Sequence, residues 1–144
     1  WGAYDETDDF GYAVVKDWPV MRLGETYLLR AEARFRQGNT QGAADDINVL
    51  RDRAFKDYRA VAPGAGKVTA DQIDIDFILD ERARELCGEG KRWYDLKRLG
   101  KLIERTDLHN KKAHGNMKSF HELRPIPQSQ IDRCTNVYPQ NPQW

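Results

Sequence analysis

The sequence predicts an all-α protein built from helical hairpins. Apolar residues recur at helical spacing in four stretches between residues 21 and 104, and no alternating strand pattern runs longer than a few residues. Glycines or a Pro/Gly loop stand where those stretches end. Bulk composition fits: 40% of residues are hydrophobic and 32% charged, and 4 Trp, 6 Tyr and 5 Phe supply large side chains for a core.

The elements follow in chain order. Residues 1–19 show no helical period. Ala13-Val14-Val15 reads as a short extended run, and Pro19 disfavours helix at Trp18, so this segment is a lead-in. A first helix is predicted over 21–37, with Leu28, Ala31 and Phe35 on one face, and Gly38 stops it. Thr40 is the expected N-cap of a second helix over 40–54, whose Ala43, Ile47, Leu50 and Ala54 keep i, i+4, i+7, i+11 spacing. So short a connection makes the two helices an antiparallel hairpin.

Residues 55–68 form a loop around Pro63-Gly64-Ala65-Gly66. Thr69 with Gln72 makes a capping box that opens a third helix over 70–87, with Ile75, Leu79, Arg82 and Leu86 on one face. A fourth is predicted over 91–104 from Leu96, Leu99 and Ile103, giving a second hairpin. Residues 106–119 read as a polar surface loop. The tail holds Pro125, Pro127, Pro139 and Pro142, so it can form a turn near 128–131 but no long helix. Its Ile126, Ile131, Val137, Tyr138 and Trp144 predict an irregular strap packed back on the helices.

Charge and cysteines exclude several functions. Lys plus Arg is 23 and Asp plus Glu is 23, so the formal charge is zero, without the basic excess of a nucleic-acid binder. No apolar run approaches the roughly 20 residues of a membrane span. Cys87 and Cys134 are too few for a disulfide framework and lack metal-ligand spacing. One bridge stays open, with two unrelated thiols the expected state. The start at Trp1, without initiator Met or leader, reads as the interior of a longer protein.

The first hairpin resembles a tetratricopeptide repeat, a pattern of about 34 residues. Tyr27, Ala31, Gly38, Ala43 and Ile47 fall at its bulky, small, turn-glycine, close-packing and apolar positions. Longer strings are more specific. Lys16-Asp17-Trp18-Pro19-Val20-Met21-Arg22 leads into Glu25-Thr26-Tyr27-Leu28-Leu29-Arg30-Ala31-Glu32-Ala33, and Ile47-Asn48-Val49-Leu50-Arg51-Asp52-Arg53-Ala54 follows. Then come Glu81-Arg82-Ala83-Arg84-Glu85-Leu86, Glu89-Gly90-Lys91-Arg92-Trp93-Tyr94-Asp95-Leu96-Lys97-Arg98-Leu99-Gly100, Pro125-Ile126-Pro127 and Gln140-Asn141-Pro142. Together they resemble the C-terminal region of the SusD/RagB family of outer-membrane nutrient-binding lipoproteins, over nearly the whole chain. The family's usual Asn-Pro-Gly-Tyr ending is replaced here by Asn141-Pro142-Gln143-Trp144, and residues 106–119 match nothing.

The resemblance implies a tetratricopeptide-like scaffold in which residues 1–144 are the C-terminal portion and the N-terminal part is absent. It further implies non-catalytic binding of oligosaccharide, or of peptide, on the extracellular face of the outer membrane. The partner implied is a SusC-like TonB-dependent transporter, and the membrane is reached only through an N-terminal lipid anchor absent from these residues. No cofactor and no nucleic acid is expected, and a tetratricopeptide-type adaptor for a protein partner is the rival reading. The ligand-contact residues are left open.

Constellations that could carry chemistry read as structural. Glu81, Glu85 and Glu89 repeat at i, i+4, i+8 and would suit glycoside hydrolysis if one carboxyl were raised by an apolar pocket. Arginines instead surround them, so ion pairing with Arg51, Arg53 or Arg92 is predicted, and neither a catalytic nor a metal-binding residue is assigned. His121-Glu122-Leu123-Arg124 starts like a zinc-protease motif but has Pro125 at the second His position. His109 and His114 lie five apart in a loop. Gly64-Ala65-Gly66-Lys67 lacks the first glycine and the Ser/Thr of a phosphate loop, where Val61 and Val68 stand. Trp1, Tyr4, Phe10, Tyr12 and Trp18, set among acids, could stack on sugar or tuck into further chain, and none is assigned as a site.

Overall fold

A computed structural model describes residues 19–144; the lead-in and its aromatic cluster lie outside the described residues. Six α-helices and no strand occur among those residues: α1 (Leu23–Arg36), α2 (Thr40–Ala54), α3 (Ile75–Glu85), α4 (Arg92–Arg98), α5 (Leu102–His109) and α6 (Gln128–Ile131). The chain divides into two units, Trp1–Glu85 and Leu86–Trp144. The all-α expectation is borne out.

In the first unit the α1–α2 hairpin forms as its spacing requires. Gly38, at φ +80°, adopts the left-handed conformation that releases the chain from α1. Its amide bonds Phe35 O at 2.9 Å while the Asn39 amide bonds Arg34 O at 2.9 Å, a Schellman closure. Asn39, not Thr40, then caps α2: its Oδ1 accepts from the Gly42 amide at 2.8 Å. One residue thus ends one helix and begins the next. Ala31, Ala43 and Ala44 are fully buried, and α1 packs most extensively on α2. Leu28, Ile47, Ile78 and Leu79 fill the remaining core, with α3 lying against α1.

The loop between α2 and α3 is tied down by polar groups. Asn48 donates to Val68 O and accepts from the Val68 amide, both at 2.9 Å, replacing a backbone partner for that residue. Buried Val68 and Ile73 anchor the loop on either side of the Thr69–Gln72 pair. That pair opens only a short 3-10 turn, Ala70–Gln72. α3 starts at Ile75 instead, where Asp74 Oδ1 accepts from the Phe77 amide at 2.6 Å.

Two boundaries correct the expected second hairpin. α3 stops at Glu85, ahead of the turn at Gly88 (φ +81°), and belongs to the first unit. In the second unit the expected helix over 91–104 is two helices. Gly100, at φ +66°, places the Lys101 amide on Leu96 O at 2.8 Å and its own on Lys97 O at 3.0 Å, which terminates α4. α5 then continues to His109, into the stretch expected to be loop. Leu96 and Leu102 are buried, and α5 packs on α4 and on the Ser119–Glu122 turn.

The tail is held by side chains standing in for a ladder. Ile126, between two prolines that lack an N–H, donates to Gln140 Oε1 at 2.7 Å, and Gln140 Nε2 returns a bond to Ile126 O at 2.8 Å. The Trp144 indole donates to Leu123 O at 2.8 Å and meets the Phe120 ring edge-on, while Arg124 stacks over Trp93. Cys87 and Cys134 are both free.

Candidate functional site

α3 repeats a glutamate every turn, and α2 presents arginines at i and i+2 near its end, so charges face each other along the first unit. Arg51 grips Glu81 with both prongs, Nε–Oε1 at 2.9 Å and Nη2–Oε2 at 2.7 Å, and Arg84 adds Nη2–Oε2 at 2.7 Å. One turn on, Arg53 Nη2 reaches Glu85 Oε2 at 2.6 Å and Arg22 Nη1 reaches its Oε1 at 2.5 Å. The expected pairing with Arg51 and Arg53 is borne out, and Arg22, 63 residues distant in sequence, is the partner that sequence reasoning missed. Glu89 leaves the row because the helix has ended before it; it lies in the turn that follows.

A cleft of about 200 Å³ lies along this ladder, lined by Leu50, Arg51, Ala54, Phe55, Glu81 and Glu85 together with Arg84. Its electrostatics oppose acid–base work. Burial pushes the Glu81 carboxyl up, but hydrogen bonds from Arg51 and Arg84, and then their charges, outweigh it and hold the group below the ordinary glutamate range. Glu85 behaves likewise: burial raises it, and Arg53 and Arg22 bring it below that range. A proton donor near neutrality needs the opposite shift.

Groups whose folded value is depressed stabilise the fold above the unfolded value and lose that contribution as pH falls through the folded one. The thermal midpoint should therefore decline as pH drops through and below the ordinary glutamate value of 4.5. Glu81→Gln should flatten that decline in a pH series of melting curves.

Other buried charges serve the same scaffold. Asp46 on α2, almost fully buried, accepts from Arg30 at 2.6 Å and from Arg34 at 2.9 Å, both on α1. Arg82, the bulkiest fully buried side chain, meets Glu25 at 3.4 Å. Only the i, i+4 spacing of Arg30 and Arg34 hinted at a shared acidic partner across the hairpin.

The weaker candidates resolve into structure. Lys67, at the end of the glycine loop, bonds Asp52 at 2.7 Å, and the loop carbonyls of Ala65 and Gly66 accept from Arg59 and Arg51. Gly66 rests on Phe55, whose ring would lie 2.7 Å from an added Cβ. In the second unit His114 faces Asp107 at 3.2 Å beside an open groove that includes Ile103, Leu108 and Met117. His121 Nδ1 accepts from the Lys118 amide at 2.8 Å. No group of three or more His, Cys, Asp or Glu able to hold a metal occurs among the described residues.

Paired helices with a small-residue seam and arginine-bound carboxylates define a helical-repeat scaffold. Comparison with known proteins identifies which: a sequence profile of the SusD family matches residues 4–144, and the chain belongs to that family. The starch-binding protein SusD of Bacteroides thetaiotaomicron is 37% identical to it over 125 residues, which cover 84% of this chain and 20% of that protein. SusD-like protein P2 of Formosa agariphila is 32% identical over 126 residues, covering 85% of this chain and 25% of that protein. The chain thus spans about a fifth to a quarter of the curated relatives it matches. No solved structure matches it significantly.

Proposed function

We propose that this chain is the C-terminal helical portion of a surface protein that binds oligosaccharide nutrients without cleaving them. Membership of the SusD family carries the reading, and a relative named as starch-binding points to glycan rather than peptide. The ladder supports the non-catalytic part, because Glu81 and Glu85 are held charged by arginines on both sides. The proposal extends to display on the outer face of the outer membrane through a lipid anchor, and to delivery into a SusC-like TonB-dependent transporter. No helix among the described residues is long and apolar enough to cross a membrane.

Calorimetric titration of the protein with α-glucan and β-glucan oligosaccharides and with peptides, run beside a reducing-sugar assay, tests this. Residues 1–144 alone should release no sugar and bind weakly, with affinity restored in a family-length protein. Sugar release abolished by Glu81→Gln or Glu85→Gln would overturn the reading. Peptide binding without glycan binding would move the ligand class.

A further inference from the structure

We propose that Gly24 is the seat of a latch: Arg22, just ahead of α1, is clasped by Glu85 at the end of α3, and the clasp holds the first turn of α1 in helical form. The sequence gives that turn an acidic residue, Glu25, but no capping side chain. Arg22 is its N-cap residue, extended at φ −138° and ψ 164°, and no side chain caps the helix. The Arg22 carbonyl nevertheless accepts the Glu25 amide at 2.9 Å and the Thr26 amide at 3.4 Å, so those two bonds depend on where Arg22 is kept. Its side chain is what keeps it. One nitrogen donates to Glu85 Oε1 at 2.5 Å and the other to the Glu85 main-chain oxygen, joining the start of α1 to the last residue of α3.

To make that span the guanidinium crosses directly over Gly24. A Cβ there would lie 2.6 Å from Glu85 Oε1 and closer still to the Arg22 guanidinium. Gly24 is buried inside α1 without the positive φ that calls for glycine. By propensity alone alanine would strengthen this helix. The missing methyl is therefore explained by the side chain that passes through its place. Glu85 is faced by Arg22 and by Arg53 of α2, and Arg51, Glu81 and Arg84 line the same cleft. With the latch open, the start of α1 is free to fray while the α2 pairing with Glu85 persists.

Native-state amide exchange on the full chain reads this directly, with Glu25 and Thr26 as reporters and Ile47 and Leu50 in α2 as references. Gly24→Ala and Arg22→Lys, which cannot make the two-pronged contact, should each lower protection at the reporters by about tenfold or more and leave the references unchanged, and Glu85→Gln, which also loosens Arg53 of α2, should lower the reporters more than the references. In an Arg22→Ala background the sign should reverse, with Gly24→Ala raising protection. Raised protection from Gly24→Ala in the wild-type background would overturn the latch, as would unchanged reporters in Glu85→Gln. Equal loss at reporters and references in Arg22→Lys, the mildest variant, would also overturn it, since the contact would then be general packing.

Discussion

Leu28→Ala should destabilise the protein by about 3–4 kcal/mol, measured by urea unfolding, with a fall in melting temperature on the order of 10 °C. Leu28 is completely buried on α1, the helix that contacts both α2 and α3, so the void would open where the three meet. The fixed Ala31, Ala43 and Ala44 seam leaves the backbones no closer approach with which to fill it. Leu29, the next residue, is 38% exposed, and Leu29→Ala should cost less than about 1 kcal/mol. That contrast between neighbours separates core packing from helix propensity, which is the same for both.

Glu81→Ala is expected to cost about 3 kcal/mol. The Glu81 side chain is 8% exposed and the Arg51 side chain 17%, so its removal strands a mostly buried guanidinium that keeps Gly66 O and the Phe77 ring beside it. Arg84, 56% exposed, is screened by water, and Arg84→Ala should cost under about 1 kcal/mol. Chemical denaturation of the two variants should therefore separate them clearly, although both remove contacts to the same carboxylate.

The first hairpin was legible because its signals are local. The spacing of Leu28, Ala31, Ala43 and Ile47 and the glycine at 38 fix helix, face and turn within a few residues of each other. Helix caps were less legible, since Asn39 and Thr40 are both good caps and only the Schellman closure of α1 decides for Asn39. The break at Gly100 was hidden because Leu96, Leu99 and Ile103 keep helical spacing straight across it. Nothing in an apolar period reports a left-handed residue that turns the chain between two of its members.

The ladder was partly legible for a related reason. Glutamates at Glu81 and Glu85 flanked by arginines announce ion pairing, and α2 was an evident source of partners. Arg22 was not, because it precedes the first helical residue and reaches Glu85 only through the tertiary packing of α1 on α3. Glu89 departs from the expected helical row for the opposite reason: the i+8 step assumed a helix that had already stopped. Family membership, by contrast, was carried by the ordered strings from Lys16 to Pro142, a signal no single spacing contains.

The buried carboxylates of α3 are held by arginines and carry the fold. A double-mutant cycle of Arg51→Ala and Glu81→Ala, read as unfolding free energy, probes that role at the two-pronged contact. The structure predicts a coupling of at least about 1.5 kcal/mol between the two sites. Additivity within about 0.3 kcal/mol would contradict it, showing that the Arg51–Glu81 pair does not hold the fold.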